Sequence, residues 1–213
     1  MMTGPADDGV VVIDVETTGL GGAVGRLDGV VQVGVAWFEA GAVASWGSVC
    51  NPGEPFLAGG RAAEALAINR LRLSEVAAAR PAAEVAAQLR RLLGALDHPQ
   101  AGLMVLAFNV SFDRSFLVQP PWELDRWQWG PCLMAAAAVS LGSRGGGRIA
   151  LAEACRRHGV TLGPRAHDAV VDASAALQLW HALGRPGLQR RSAEVPHTGR
   201  VDAAIGHPDD GSD

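Results

Sequence analysis

The run Gly9–Val15 (GVVVIDV) constrains this chain more than any other segment. Valine and isoleucine branch at Cβ, and branched side chains suit a pleated, buried surface better than a helical turn. So short and apolar a run reads as a buried strand. Into it the sequence sets Asp14 and, two residues later, Glu16. Residues two apart on a strand point to the same side. Two carboxylates standing together repel each other and are costly to bury. A divalent cation between them removes both problems; a solvated strand end is the plain alternative, and the spacing alone does not choose.

The rest of the chain supplies a frame for that strand. Residues 19–29 are rich in Gly and read as a loop. Strands are expected at 30–38 (VVQVGVAWF) and 42–50 (AVASWGSVC), joined by a turn around Glu39–Gly41, and 51–60 reads as a loop. Val85, Leu89, Leu92, Leu93 and Leu96 fall near one face of a helix over 82–96, with Pro81 at its start. A fourth strand is expected at 103–108 (LMVLAF), and helices at 111–118, 132–141, 149–158 and 167–183. GSRGGG at 142–147 reads as a flexible connection. Three strands first, then helices mixed with strands, predict a mixed α/β sheet. After Gly184 the residues are Pro, Gly, Arg, Asp and Ser with few apolar groups, so 185–213 reads as a disordered tail and 9–184 as the one domain.

Composition narrows the function classes. At 213 residues, 48% apolar and 19% charged, the chain can bury a real core. No apolar run approaches the roughly 20 residues that span a bilayer. The opening MMTGPADDGV carries acid where a signal peptide would carry base, so a soluble cytoplasmic protein without a membrane partner is expected. Cys50, Cys132 and Cys155 are scattered and form no CxxC pair, which argues against a disulfide framework or a zinc site and for buried, small apolar residues. The net charge of −4 does not advertise a nucleic-acid binder, since phosphate binding usually leans on a basic surface. Metal ions at the site could supply positive charge to phosphate locally.

Two further segments carry acids in telling places. Asp113, in AFNVSFDRSFL, follows the fourth strand and opens a helix. Taken alone it is a first-turn acid complementing the helix dipole, and Asn109 and Ser111 are ordinary capping residues. In RAHDAVVDASAAL, His167 and Asp172 stand five apart near the start of an apolar helix. Asp168 suits the N-cap and lies on the same face as Asp172, so geometry alone leaves either as a ligand. Four acids and one histidine at strand ends and helix starts describe a hard-cation site with an adjacent base. Carboxylate oxygens suit Mg²⁺ or Mn²⁺ rather than a Zn²⁺ held by Cys and His.

In order and context these segments resemble the DEDDh exonucleases, the family of proofreading exonucleases, RNase T and oligoribonuclease. The motifs are VIDVETTGL, AFNVSFDRSFL and HDAVVD, and IALAEACRRHGV resembles the helix before the third; together they cover residues 10–183. The resemblance implies an RNase H-like fold, a five-stranded mixed sheet flanked by helices. It implies that Asp14, Glu16, Asp113 and Asp172 hold two divalent cations, Mg²⁺ or Mn²⁺, which chooses Asp172 over Asp168. It casts His167 as general base, and Thr17, Leu20, Asn109 and Phe112 as the wall of a pocket for the 3′-terminal nucleotide. One departure stands out: where the family often carries His-Gly-Ile, with the His on the substrate, this chain has Asn69-Arg70-Leu71.

The implied activity is two-metal hydrolysis that releases nucleoside 5′-monophosphates from a nucleic-acid 3′ end. ETTGL is closer to the proofreading branch than to the oligoribonucleases, which favours single-stranded DNA over RNA and a setting in DNA replication or repair. The tail shows no recognisable clamp- or polymerase-binding peptide. Two rival readings fit less well. DVETT faintly resembles the DxDxT opening of haloacid-dehalogenase phosphatases, but the second acid is Glu and all 18 basic residues are arginine, so the lysine that chemistry needs is missing. A decayed, non-catalytic binding module should have lost a catalytic acid, and none is lost.

Overall fold

The computed structural model describes residues 6–21, 28–58, 60–97, 102–144, 147–163 and 167–188. Val10–Thr17 forms β1, Val30–Glu39 forms β2 and Ala42–Val49 forms β3. The turn from β2 to β3 has Ala40 and Gly41 at φ 50° and 76°. Two left-handed residues match the twist of a two-residue hairpin, and the Asp7 carboxylate accepts both their N–H groups, at 3.2 and 2.8 Å.

The stretch 51–60 is not the plain loop expected. Glu54–Leu57 forms a short helix α1, and α2 (Gly60–Ile68) and α3 (Leu73–Ala78) follow. Pro55 lies in the first turn of α1, where a missing N–H costs nothing. α2 is alanine-rich and so helix-prone, but it buries only Ala62 and Leu66, which left little apolar periodicity to read. α4 (Ala82–Leu96) buries Val85, Ala86, Leu89, Leu93 and Leu96, with Pro81 at its N-cap. Then come β4 (Met104–Leu106), α5 (Val110–Leu117), β5 (Gln128–Trp129), α6 (Leu133–Ser140), α7 (Leu151–Arg157) and α8 (Ala169–Ala182).

The strands make one five-stranded sheet in the order β3-β2-β1-β4-β5. β2 is antiparallel to β1 and β3, whereas β4 is parallel to β1 and β5. This is the RNase H-like mixed sheet flanked by helices. Alternation along β1 divides the core in two. Val11, Ile13 and Val15 pack with Val85, Leu89 and Leu93 of α4 and with Phe116 and Leu117 of α5. Val10 and Val12 face the opposite way, onto Leu133 of α6, Cys155 of α7 and Leu177 and Trp180 of α8. Asp14 and Glu16 continue this second series and so lie on the α8 side.

The register slips between Glu16, opposite Gln32, and Thr17, opposite Val30. Val31 is thereby left out of the pairing with β1 and packs with Leu66 of α2 and Val76 of α3, which docks those helices at the end of the central strand.

Packing runs on past Gly184, where the domain was expected to end. Arg185 donates to the Asp8 carboxylate at 3.0 Å, the Trp180 indole N–H donates to the Pro186 carbonyl at 3.0 Å, and Leu188 joins the α8 core. The boundary therefore moves to Leu188 at least, because these residues have partners in the body. The remainder of the expected tail, 189–213, lies outside the described residues, as do 22–27 of the Gly-rich loop and 145–146 of the GSRGGG connection. All three cysteines are free; Cys50 and Cys155 are buried and Cys132 is half-buried. Among the described residues no helix is long and apolar enough to cross a membrane.

Candidate active site

The site is assembled by backbone features outside it. Asp14 lies opposite Gly34 on β2, and Gly34 lies opposite Gly47 on β3. A Cβ on Gly34 would come within 2.2 Å of the Ala169 carbonyl oxygen, and one on Gly47 within 2.2 Å of a Val170 methyl. Only glycine at both positions lets the first turn of α8 lie directly on the sheet beside Asp14. The same turn is pinned by the Ala169 N–H donating to Gln32 Oε1 at 3.3 Å. Asp168 is its N-cap, accepting the Val170 N–H at 3.1 Å. Asp172, one turn on, is thereby delivered to the acids of β1.

The two candidate aspartates are now distinct. Asp168 uses one oxygen to cap the helix. Asp172 accepts the His167 backbone N–H on Oδ2 at 3.3 Å, while its Oδ1 is buried with no hydrogen-bond partner among the described residues. His167 itself sits at φ 64°, a left-handed conformation uncommon for a residue with a side chain, and its ring is exposed. Asp113, only 2% exposed, occupies the first turn of α5, where its Oδ1 accepts the Val15 N–H of β1 at 3.1 Å. β4 is the parallel neighbour of β1, so the helix that follows β4 naturally brings its first turn to the end of β1.

Burial pushes Asp14, Glu16, Asp113 and Asp172 toward the protonated form, and neighbouring charges add to it at Asp14, Glu16 and Asp172. Glu16 rises to about 8, first from burial and then from the charges of Asp172, Asp113 and Asp168. Asp113 rises to about 7 by burial, against the pull of backbone hydrogen bonds from Val15 and from its own N–H. Asp14 lies well above the carboxylate range, through burial and then through Asp113, Glu16, Asp172 and Asp168. Asp172 is raised by burial, while the His167 N–H and imidazole pull it back. Such a cluster favours either protons or a cation. The donor set fits a hard divalent cation: Glu16, His167 and Asp172 each offer one atom within 4.8 Å of the others, and Asp172 Oδ1 is left without a partner. The sequence reading gives His167 the role of base only; here its ring also stands within the reach of a ligand.

A cavity of about 560 Å³ adjoins the acids, with Glu16 and His167 among its lining. Thr17, Leu20 and Phe112, expected there, belong to its wall, as does Asn69, which stands where the family often carries a substrate-binding His. Leu20 is 87% exposed and Ile68, from α2, 60%, so two apolar side chains stand in solvent at this cavity. Phe112 packs edge-on against Phe116 with ring centres 5.2 Å apart. The Asn69 amide donates to the Thr17 carbonyl at 3.2 Å, tying the end of α2 to the end of β1. The base of the Gly-rich loop is closed by the Gly29 N–H donating to Thr18 Oγ1 at 2.9 Å and the Gly21 N–H donating to Asp28 at 2.8 Å.

Asn109 is not among the lining residues. It sits at the N-cap of α5, where its carbonyl accepts the Phe112 and Asp113 N–H groups and starts the helix. Arg61, Glu64 and Ile68 of α2 do line the cavity and were not anticipated. Their helix was itself unread, so no signal placed them. Another cavity, of about 460 Å³ beside Phe56, Phe116 and Trp122, holds none of the candidate catalytic residues.

No family model matches the chain, and no curated protein matches it. Solved structures do. The nuclease domain of 3′hExo, a DEDDh family member bound to rAMP, superposes with a TM-score of 0.61 at 12% identity, over 80% of this chain and 88% of that one. S. pombe Pop2p in its Mg²⁺- and Mn²⁺-bound form gives 0.59 at 15% identity, over 87% and 83%. Cell-death related nuclease 4 (CRN-4) gives 0.57 at 13% identity, over 82% of this chain but 64% of that one, and a full-length 3′-exonuclease is spanned over only 58% of its length. The fold is that of the DEDDh 3′ exonucleases.

Proposed function

We propose that this chain is a metal-dependent 3′→5′ exonuclease, a phosphodiester hydrolase that frees nucleoside 5′-monophosphates from a nucleic-acid end. The observation that carries this reading is one of adjacency. Asp14, Glu16, Asp113 and Asp172 lie near enough to raise one another's titration, and Glu16 and His167 of that group line a cavity in the size range of a small-ligand site. Those four carboxylates would hold two divalent cations, Mg²⁺ or Mn²⁺, which when bound polarise phosphoryl oxygens and acidify the attacking water. The Mg²⁺- and Mn²⁺-bound Pop2p of similar fold supports the choice of metal.

The chain's own residues divide the remaining work. His167 accepts the proton of the attacking water on its imidazole, as general base. Its backbone N–H meanwhile holds Asp172 in place. Leu20, Ile68 and Phe112 offer apolar and aromatic surface to the terminal base, which binds without strong sequence preference. The Asn69–Thr17 hydrogen bond fixes that pocket relative to the acids.

Single-stranded DNA ends are the first choice of substrate, on the strength of ETTGL (16–20), with a free-standing role in the cytoplasm in DNA replication or repair. RNA ends are the second reading, favoured by similar folds bound to rAMP and recognising a histone mRNA stem-loop. The test is to follow 3′- and 5′-labelled single-stranded DNA and RNA with Mg²⁺ or Mn²⁺. Mononucleotides should appear from the 3′ end, a 3′-phosphorylated strand should be cut far more slowly, and EDTA should stop the reaction. Equal cutting of a circular strand would mean an endonuclease.

A further inference from the structure

Asn69 and His167 line two cavities at once. One is the pocket just described; the other is a smaller cleft of about 210 Å³, whose lining also includes Gln32, Arg70, Glu75 and Asp168. We infer that this cleft receives the outgoing strand, and that Arg70 binds the phosphate one nucleotide upstream of the scissile bond. The inference rests on the exonuclease reading. With the terminal nucleotide in the larger pocket, the scissile phosphate lies at Glu16, His167 and Asp172. The strand must then leave past His167, and the cleft that shares His167 is the space it would enter.

Arg70 is placed there at a cost. It follows α2 with φ 57°, while the Leu71 N–H donates to Leu66 O at 2.9 Å and the Arg70 N–H to Ala67 O at 3.3 Å. That pair of bonds closes a helix end whose left-handed position normally belongs to glycine. Nothing in the backbone calls for a long cation at this spot. Its side chain is also unspent. Like Arg80, Arg91, Arg114, Arg126, Arg144 and Arg148, and unlike Arg61, Arg72, Arg90, Arg156, Arg157 and Arg185, Arg70 has no carboxylate within 4.0 Å among the described residues, and of these seven it alone lines this cleft.

The two acids of the cleft are otherwise engaged. Glu75 pairs with Arg72 at 3.9 Å and Asp168 accepts the Val170 N–H. Gln32 uses its Oε1 on Ala169, which leaves its NH₂ for a ligand. A planar guanidinium matches a phosphate through two parallel hydrogen bonds.

The experiment compares the full chain with Arg70→Gly and Arg70→Lys on three DNA substrates. These are a dinucleoside monophosphate, which has only the scissile phosphate, a trinucleotide, and the same trinucleotide with an uncharged methylphosphonate at the upstream position. Arg70→Gly should raise KM for the trinucleotide roughly 10- to 100-fold, as loss of a charge-assisted contact does, and change the other two little. Arg70→Lys should fall between, and Arg70→Gly should melt no lower than the parent because glycine suits the left-handed position. An equal loss on all three substrates, or no change on the trinucleotide, overturns the subsite. Binding of the labelled trinucleotide pair in Ca²⁺, read by fluorescence anisotropy, separates the two readings. If the parent turns over none of the substrates with Mg²⁺ or Mn²⁺, the exonuclease reading fails. The subsite then stands only if Arg70→Gly weakens binding of the charged strand and not of its methylphosphonate twin.

Discussion

Replacing Gly34 with alanine would put one methyl group between the sheet and α8, in the row that carries Asp14. That methyl would lie 2.2 Å from the carbonyl carbon and oxygen of Ala169 and 2.4 Å from the Val170 nitrogen, where ordinary contact begins at 3.4 Å. These are backbone atoms in a helical turn, so no side-chain rotation relieves the clash. The turn must retreat by roughly 1 Å, and Asp172 retreats with it, out of its place within 4.8 Å of Glu16 and His167. A displacement of that size can cost about 10²-fold in rate. Overpacking of this kind costs about 1–3 kcal/mol, which for a domain of this length lowers Tm by about 2–12 °C. Turnover on a short oligonucleotide, the Mn²⁺ dependence of that turnover, and a thermal melt measure the three effects. Gly94→Ala is the control: it adds the same methyl to α4 where nothing lies within 4 Å, and should stabilise by about 0.5–1 kcal/mol. A Gly34→Ala protein with the parent's turnover and Tm would show that α8 does not rest on the sheet through its glycines.

Three further outcomes are expected. Because Glu16 and Asp113 titrate near 8 and 7, above their unfolded values, they favour the fold while protonated, so the metal-free protein should lose stability as pH climbs from about 4 through 8. Cation binding needs the ionised forms, so the rise in Tm on adding Mn²⁺ should grow over that range; a metal-free melt that is highest at the alkaline end contradicts the burial of these acids. His167→Ala should lose about 10²–10⁴-fold in turnover yet keep its Mn²⁺-induced rise in Tm, since the backbone N–H to Asp172 survives; near-normal turnover removes the imidazole from the mechanism, and a lost Tm rise makes it a ligand. A chain ending at Gly184 should melt lower than one ending at Leu188, having lost the Arg185–Asp8 pair, the Trp180–Pro186 bond and Leu188 itself, and identical melts would mean that these contacts contribute nothing.

What could be read from the sequence was whatever a short, local pattern encodes. β1 and the β2–β3 hairpin announce themselves by branched residues and a turn, and α4 by its leucines; the structure places all of them within a residue or two of the expected ends. β5 was not readable, because two residues, Gln128 and Trp129, make no pattern. Nor were α1, α2 and α3, which bury too few large side chains to show a face. Asp14, Glu16, Asp113, His167 and Asp172 were legible as types in context. Their convergence was not, because it depends on long-range devices: Gly34 and Gly47 look like ordinary strand glycines until α8 lies on them. Asn109, expected on the pocket wall, does not line the cavity and starts α5 with its backbone carbonyl.

The site also answers how one fold tolerates so much negative charge in one place. Each acid is fixed by something other than its neighbours: Asp14 and Glu16 by the alternation of a central strand, Asp113 by the Val15 N–H, and Asp172 by the His167 N–H and the seating of α8. Asp113 and Asp172 both occupy first turns of helices, where the dipole favours an anion. Mutual repulsion therefore cannot be relieved by spreading the acids apart. Burial raises the titration of the whole group, and at Asp14, Glu16 and Asp172 the charges of neighbouring acids raise it further. Protons relieve that repulsion at low pH. Near neutrality, where they begin to leave, a hard divalent cation would do so better, because it would bring two positive charges at once and the unpartnered Asp172 oxygen could serve it as a ligand. Affinity for the cation is thus the other side of the instability of the empty cluster, and any change that lets the acids relax apart should stabilise the metal-free protein while weakening its hold on metal.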